Sequence, residues 1–321
     1  MAAPSIAPAT RFAITLPLVL LVALALVPLL AHYLPGERYL IGLFARVMIF
    51  AIAAISLDLI LGYSGLVSFG HAAFLGLGAY AVGILAEHGI ADAVIALPAA
   101  LATAALFALA TGAIAMRTRG VYFIMITLAF GQMAYYTATS LSQYGGDDGM
   151  RLAARSVVLG HSLLADPRGF YYFVFAALVV VYLFCRMIVA SRFGRVLRAA
   201  RENPVRTETL GYNVHAFRLT AYVISGCICA IAGFLLANQN SFVSPAYMSW
   251  QRSGELIVMV ILGGMGSLHG AVLGSLVYLL LEELLSGFTE HWKVIFGPLL
   301  VLVVLFARGG LVGLFGGGRR G

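Results

Sequence analysis

The feature that most constrains this chain is a succession of apolar runs, each about as long as a bilayer is thick, cut by short clusters of charged and turn-forming residues. A helix rises 1.5 Å per residue, so about 20 apolar residues cross the ~30 Å hydrocarbon slab, and inside it every backbone N–H and C=O must bond within the protein. Runs at 12–30, 39–61, 71–86, 93–116, 121–141, 169–189 and 219–237 fit or approach that length. A longer stretch at 255–285 and a last run at 291–306 follow. The first run follows Arg11, exceeds the core of a cleaved signal peptide and has no small-x-small site after it, so it reads as a retained helix. The sequence thus predicts an all-α, polytopic transmembrane helical bundle of about eight to ten helices, with glycine-broken or re-entrant segments.

The chain has 62% hydrophobic and only 10% charged residues, against roughly 45–50% and 25% in soluble domains. Its net charge of +7 would suit a nucleic-acid binder, but the arginines flank apolar runs at 117–119, 186–218, 308 and 319–320. No basic stripe with interleaved aromatics lies on a soluble segment, so the pattern is that of the positive-inside rule and no nucleic-acid partner is expected. That rule divides the chain into a cytoplasmic N-terminal tail (1–11), a transmembrane domain (12–307) and a cytoplasmic C-terminal tail (308–321). Within the domain, 142–168 is a periplasmic insert and 190–215 a cytoplasmic loop. The stretch 255–285 then either enters and returns on one side or crosses twice; both keep the C-terminus inside.

Several chemistries are excluded. The one lysine, Lys293, stands in no glycine-rich loop, so there is no phosphate cradle for ATP; HExxH and GxSxG are also absent. Cys185, Cys227 and Cys229 lack metal-ligand spacing and read as small packing residues. The expectation is no catalytic residue, no metal and no cofactor in this chain.

Two glycine breaks interrupt the apolar pattern, at 62–70 and at 263–266, and 68–76 resembles 267–274. Interrupted helices at matching positions in two halves point to a transporter's substrate route; close helix packing is the alternative use of such glycines. Arg46, Asp58, His71, Glu255, His269 and Glu282 fall in or near apolar runs, where charge must face protein or water. Arg46 and Asp58, roughly 18 Å apart along one helix, do not pair. The candidate translocation residues are therefore Asp58, Ser64, Gly65, Ser68, Gly70, His71, Glu255, Gly263, Gly264 and Gly266. In the arginine-rich loop, Arg195, Arg198, Arg201 and Glu202 share a short helix that Pro204 stops. A plain topology anchor would need charge alone, not Glu202 and Glu208.

At these residues the chain resembles the M-type permeases of the Liv family, ABC uptake systems for branched-chain and other hydrophobic amino acids. The resemblance rests on 56–74, on Gly145-Gly146-Asp147-Asp148-Gly149, on 191–197 with Arg201-Glu202-Asn203 and Leu210-Gly211, and on Gly254-Glu255 with 262–267. It implies a pairing with a second, H-type permease subunit, two cytoplasmic ATP-binding subunits that hold ATP and magnesium, and a periplasmic substrate-binding protein. It also implies that Arg192, Gly194, Arg195, Arg198, Ala199, Arg201, Glu202, Asn203 and Gly211 couple the bundle to an ATPase in the bacterial inner membrane. Proline at 204 departs from the family pattern. Permeases for urea and short amides share the lineage, and a stand-alone secondary transporter or a membrane-embedded enzyme are the alternatives from other classes.

Overall fold

The computed structural model describes residues 9–33, 36–152, 155–157, 164–288, 291, 294–298 and 309–315. In chain order the helices are α1 (Ala9–Ala31), α2 (Glu37–Leu61), α3 (Ala72–Glu87), α4 (Ala93–Ala115), α5 (Val121–Ser140), α6 (Pro167–Ala190), α7 (Arg192–Glu202) and α8 (Pro204–Thr209). They continue with α9 (Val214–Asn240), α10 (Trp250–Gly263), α11 (Leu268–Phe288) and α12 (Gly310–Phe315). Two short strands, β1 (Met150–Arg151) and β2 (Phe242–Val243), pair antiparallel. Six helices, α2, α4, α5, α6, α9 and α11, are long and apolar enough to cross a membrane, and the chain is an all-α, multi-pass membrane protein.

Local sequence sets the helix ends. Asp92 accepts a hydrogen bond from the Val94 N–H at 2.9 Å and starts α4; Asp166, ahead of Pro167, accepts from Gly169 at 2.9 Å and starts α6. The most buried helices, α2, α3 and α9, form the centre. Contact between α3 and α9 is backbone-close, since a Cβ at Gly233 would run into the Leu75 carbonyl and one at Gly78 into Ala230.

Contacts fix the directions. α2 and α6 start at one end of the bundle, where Arg168 Nε donates to Glu37 Oε1 at 2.7 Å, and finish at the end carrying α7. α11 runs opposite to α2: its start meets Asp58 through Gly266, and Glu283 near its end accepts from the Tyr39 hydroxyl. It therefore runs the length of the bundle, so 255–285 is not a re-entrant pair but the end of one crossing, α10, followed by a full one, α11. The expected last span at 291–306 lies mostly outside the described residues; 294–298 are helical, and Gly310 of α12 lies against Gly264 at the α7 end.

Two crossings are only half helical. After α2, residues 62–71 turn back into the bundle, and His71 Nε2 comes within 2.8 Å of Ser56 Oγ, roughly 9 Å short of the end of α2. There α3 begins and runs to the far end. After α9 the sequence is reversed: 241–249, which hold β2 and one 3-10 turn (Pro245–Met248) but no α-helix, descend beside α3, with Val243 against Gly83 and Met248 against Gly76, before α10 runs to the α7 end. The insert is stitched to the second of these crossings. β1 pairs with β2, Leu152 N–H donates to Ser241 O at 3.0 Å, and Ser156 N–H donates to Asn238 Oδ1 at 2.7 Å.

Candidate functional site

The residues singled out from sequence fall into three places. The first is a knot at the α7 end. α7 is amphipathic, burying Gly194, Val196, Leu197 and Ala200 and exposing Arg192, Arg195, Arg198, Ala199 and Glu202. Pro204 has no N–H to donate and biases Asn203 to extended backbone (φ −148°, ψ 96°), which ends α7. It does more than stop the helix, because it stands at the start of α8, where Asn203 Oδ1 accepts from Arg206 N–H at 3.0 Å. Gly194 fits a corner closed by Val189, and Gly211 takes a left-handed turn (φ 88°) after α8.

Two of the arginines turn inward. Arg198 Nη2 donates to Val189 O at 3.0 Å and so caps α6, while Arg201 Nη1 donates to Gly62 O in the first break. Beside it, Gly266 N–H of the second break donates to Asp58 Oδ1 at 2.7 Å. A Cβ at Gly62 would collide with both Asp58 and Gly266, so only glycine lets the two breaks close on each other. Gly65 lies under the Arg201 side chain, Gly263 packs on Gly270 of α11, and Gly264 lies against Gly309 and Gly310. The glycine breaks thus meet each other and α7, although they are about 200 residues apart (Asp58 and Gly266 differ by 208 positions).

The second place is the junction where the two half-helices begin. Ala72 N–H donates to Ser253 Oγ at 3.0 Å, joining the first turn of α3 to that of α10. Ser56 Oγ spends its one proton on Ala53 O at 2.6 Å, so His71 Nε2 is the donor to Ser56 and its Nδ1 is a bare acceptor. Among the described residues that Nδ1 has no hydrogen-bond partner, nor do Asp58 Oδ2 and Ser64 Oγ, and all three residues are buried. Gly70 packs on the Thr127 carbonyl of α5, and Ser68 is buried nearby. The polar candidates of the first break are therefore enclosed by this chain, apart from Gly65, which is exposed.

The third place is a partly exposed group of charges on α2, α10 and α11; of the candidate translocation residues only Glu255 belongs to it, together with Arg46 and Glu282, which the sequence marked as charges in apolar runs. Arg252 Nη1 donates to Glu255 Oε2 at 2.7 Å, and Arg46 Nη2 stands 3.7 Å from Glu282 Oε1. Both guanidinium carbons lie 5.8 Å from the centroid of the Phe50 ring, a cation–π distance. Tyr278 is within electrostatic reach of all four charged groups. The four side chains keep 18–33% of their surface exposed. They lie roughly 12–24 Å from the α7 end, inside the ~30 Å slab, where an ionised side chain facing lipid costs about 2.5–3.5 kcal/mol. Sequence reading missed Arg252, whose signal was a basic residue three positions before Glu255, and Phe50. It also missed the exposed apolar residues beside α7, Val205, Leu210 and Tyr212. Among the described residues no His, Cys, Asp and Glu cluster has metal-binding geometry.

Comparison with known proteins places this architecture. Residues 39–305 match the family described as branched-chain amino acid transport system, permease component. LivM of Escherichia coli K12, a high-affinity branched-chain amino acid transport system permease protein, is 28% identical over 288 residues, covering 83% of this chain and 68% of that one. BraD of Pseudomonas aeruginosa, of the same description, is 28% identical over 286 residues, 82% of this chain and 91% of its own. LivH of Escherichia coli K12 is 32% identical over 141 residues, 43% of this chain and 44% of that one. With a match from residue 39 to residue 305, most of its length, the chain belongs to the family of permease components of branched-chain amino acid transport systems.

Proposed function

We propose that this chain is the permease subunit of a binding-protein-dependent ABC importer, moving branched-chain or other hydrophobic amino acids across the bacterial inner membrane by alternating access. The observation that supports this best is the bond from Arg201 of α7 to Gly62, at the point where the first break meets the second. An importer whose energy comes from outside the membrane needs an extramembrane element wired to the crossings that open, and α7 is so wired. Arginine asymmetry puts the α7 end, 1–11 and 308–321 in the cytoplasm and the 142–168 insert in the periplasm.

In this reading ATP and magnesium are bound by two partner subunits, a second permease subunit of the H type completes the route, and a periplasmic binding protein delivers substrate to the insert end. Arg192, Arg195, Ala199 and Glu202 on the exposed side of α7, with Val205, Leu210 and Tyr212 beside them, form the surface that an ATPase groove holds. Gly194, Asn203 and Gly211 shape that surface; Arg198 and Arg201 tie it to the bundle. Closing and separating the ATPases would pull α7, part the Gly62 and Gly266 knot and expose the enclosed polar groups of Asp58, Ser64 and His71 in turn. The test is Ala199→Trp in the complete transporter. Uptake of leucine should be lost, with the ATPases either detached or unresponsive to loaded binding protein, while the binding protein keeps its affinity. Normal uptake with attached, regulated ATPases would reduce α7 to a topology anchor.

A further inference from the structure

Resting on the importer reading, we propose that Asp58 is a positioning residue of the coupling machinery, the alternate partner of Arg201. Its ion pair with Arg201 holds the knot parted, as the bond from Arg201 to Gly62 holds it closed. The sequence put Asp58 among the translocation residues; the contacts around it put it at the α7 end instead.

Three observations carry this. Asp58 is fully buried and only half used: Oδ1 accepts from Gly266 N–H at 2.7 Å, while Oδ2 has no hydrogen-bond partner among the described residues. A buried oxygen without a donor is costly, and a purely structural contact would have satisfied it. Arg201 beside it is half used as well. Of the five N–H groups on its guanidinium, the described residues take one, at Gly62 O, although Arg201 is within electrostatic reach of Asp58. Among the described residues the two form no ion pair, so a guanidinium and a carboxyl group, each the other's strongest partner, are both held in weaker bonds. Finally, the ground between them is bare backbone. A Cβ on Gly62 would run into Asp58 Oδ1, and one on Gly266 would stand 3.4 Å from Gly62 O and 3.8 Å from Arg201 Nη1. Gly65 lies under the arginine stem, where a Cβ would stand 3.0 Å from Arg201 Cγ, so the stem rests on a surface that does not hook it.

The same groups therefore have two arrangements. In the closed knot Gly62 O takes the guanidinium and Asp58 takes Gly266 N–H. When a pull on α7 parts the breaks, Gly266 N–H leaves Oδ1, both carboxylate oxygens are free, and the planar fork of Arg201 crosses from Gly62 O to donate to the two of them. Two bonds are exchanged for two, so a partner gripping α7 supplies only the bias between states that are nearly balanced. Asp58 touches no substrate in either state and acts through Arg201.

The experiment uses the complete transporter in nanodiscs, which open both faces to a water-soluble thiol reagent, with Cys185, Cys227 and Cys229 replaced and Ser64→Cys as reporter. Rates are measured at rest and with the ATPases held shut by ATP and vanadate; the faster state is the one in which the knot is parted. Asp58→Asn keeps an oxygen for Gly266 N–H and loses the charge. It should leave the slower rate within twofold of the parent and lower the faster rate at least fivefold. In an Arg201→Met background the same change should alter the faster rate less than twofold, because the partner is gone. A faster rate that Asp58→Asn leaves unchanged, or lowers equally without Arg201, overturns the proposal, as do parent rates that agree within twofold in the two states. A second measurement stands if Asp58→Asn fails to assemble. Arg201→Met alone should raise the slower rate and lower the faster one, a reversal that a contact used only in the closed knot does not give; a faster rate that rises or stays the same overturns the exchange. If the parent complex shows no ATP-dependent leucine uptake in proteoliposomes, the importer reading fails and the exchange falls with it. Normal uptake with failed rate tests removes the exchange alone.

Discussion

Replacing Arg201 with methionine removes one defined contact at the α7 end and leaves a side chain of similar length. The lost bond is the charge-assisted one from Nη1 to the Gly62 carbonyl, which is buried against Asp58 and Gly266. Hydrogen bonds to charged groups contribute about 1.5–3 kcal/mol net; because the arginine is exposed, the lower figure applies. Every 1.4 kcal/mol is a factor of ten in an equilibrium constant, so the knot should open about tenfold more often. Ser64 reports opening, because it is 1% exposed and lies in the first break. In the assembled transporter, with the native cysteines replaced, Ser64→Cys should react with a water-soluble thiol reagent about ten times faster in the Arg201→Met background when the reagent is supplied on the α7 side. Arg195→Met, on the exposed side of α7, is the control and should leave the rate unchanged. Equal rates within twofold in the Arg201 and Arg195 variants would refute the reasoning, showing that the contact does not hold the breaks closed.

Cysteine placed at Asp147 should be modified only from the insert side of intact cells, and cysteine at Ala199 only in inverted vesicles; the reverse would invert the orientation. Gly233→Val should lower the thermal midpoint of the purified permease, since a side chain there meets the Leu75 carbonyl and overpacking costs about 1–3 kcal/mol or more. Gly42→Ala, where a Cβ meets none of the described residues within 4 Å, should leave the midpoint unchanged or raise it, by up to ~1 kcal/mol of stability. Asn203→Ala removes the cap of α8 and should cost about 0.5–2 kcal/mol locally, read as faster proteolysis between 203 and 211 with the bundle intact.

The spans were legible because a bilayer leaves few choices: apolar length and end-capping residues set α2, α4, α6 and α9 to within a few positions. The start of α10 was not. The apolar pattern begins only at Glu255, yet Ser249 caps a helix that starts at Trp250, and the polar Ser253 in its first turn is satisfied by the Ala72 N–H. The repeat read between 68–76 and 267–274 matched residue types at two helix starts. The more regular correspondence in the structure pairs 62–87 with 241–263, two crossings of opposite direction in which a half without α-helix precedes an α-helical half. It leaves no matching letters, because direction and depth are properties of the path and not of the residues. The site was legible only in part. The bond between Asp58 and Gly266 joins positions no local pattern relates, and the inward turn of Arg198 and Arg201 is hidden by helical spacing, which places both on the outer face while their long stems let the charge reach back to carbonyls.

The two crossings that are only half α-helical are each fastened at the other half, to opposite faces of the bundle: 241–249 to the insert through β1 and β2, and 62–71 to α7 through Arg201. Their helical halves start side by side, at Ala72 and Ser253. A helix transmits a push along its axis, while an irregular segment yields, so whatever disturbs either face arrives at the same pair of helix starts. The arrangement works as a balance beam with its fulcrum at mid-depth. Thermodynamics then demands symmetry of influence. If a protein resting on the insert changes how tightly α7 is gripped by a given factor, a partner gripping α7 must change the hold on that protein by the same factor. Weakening the fulcrum, for instance at Ser253, should diminish both influences together while leaving each face able to bind alone.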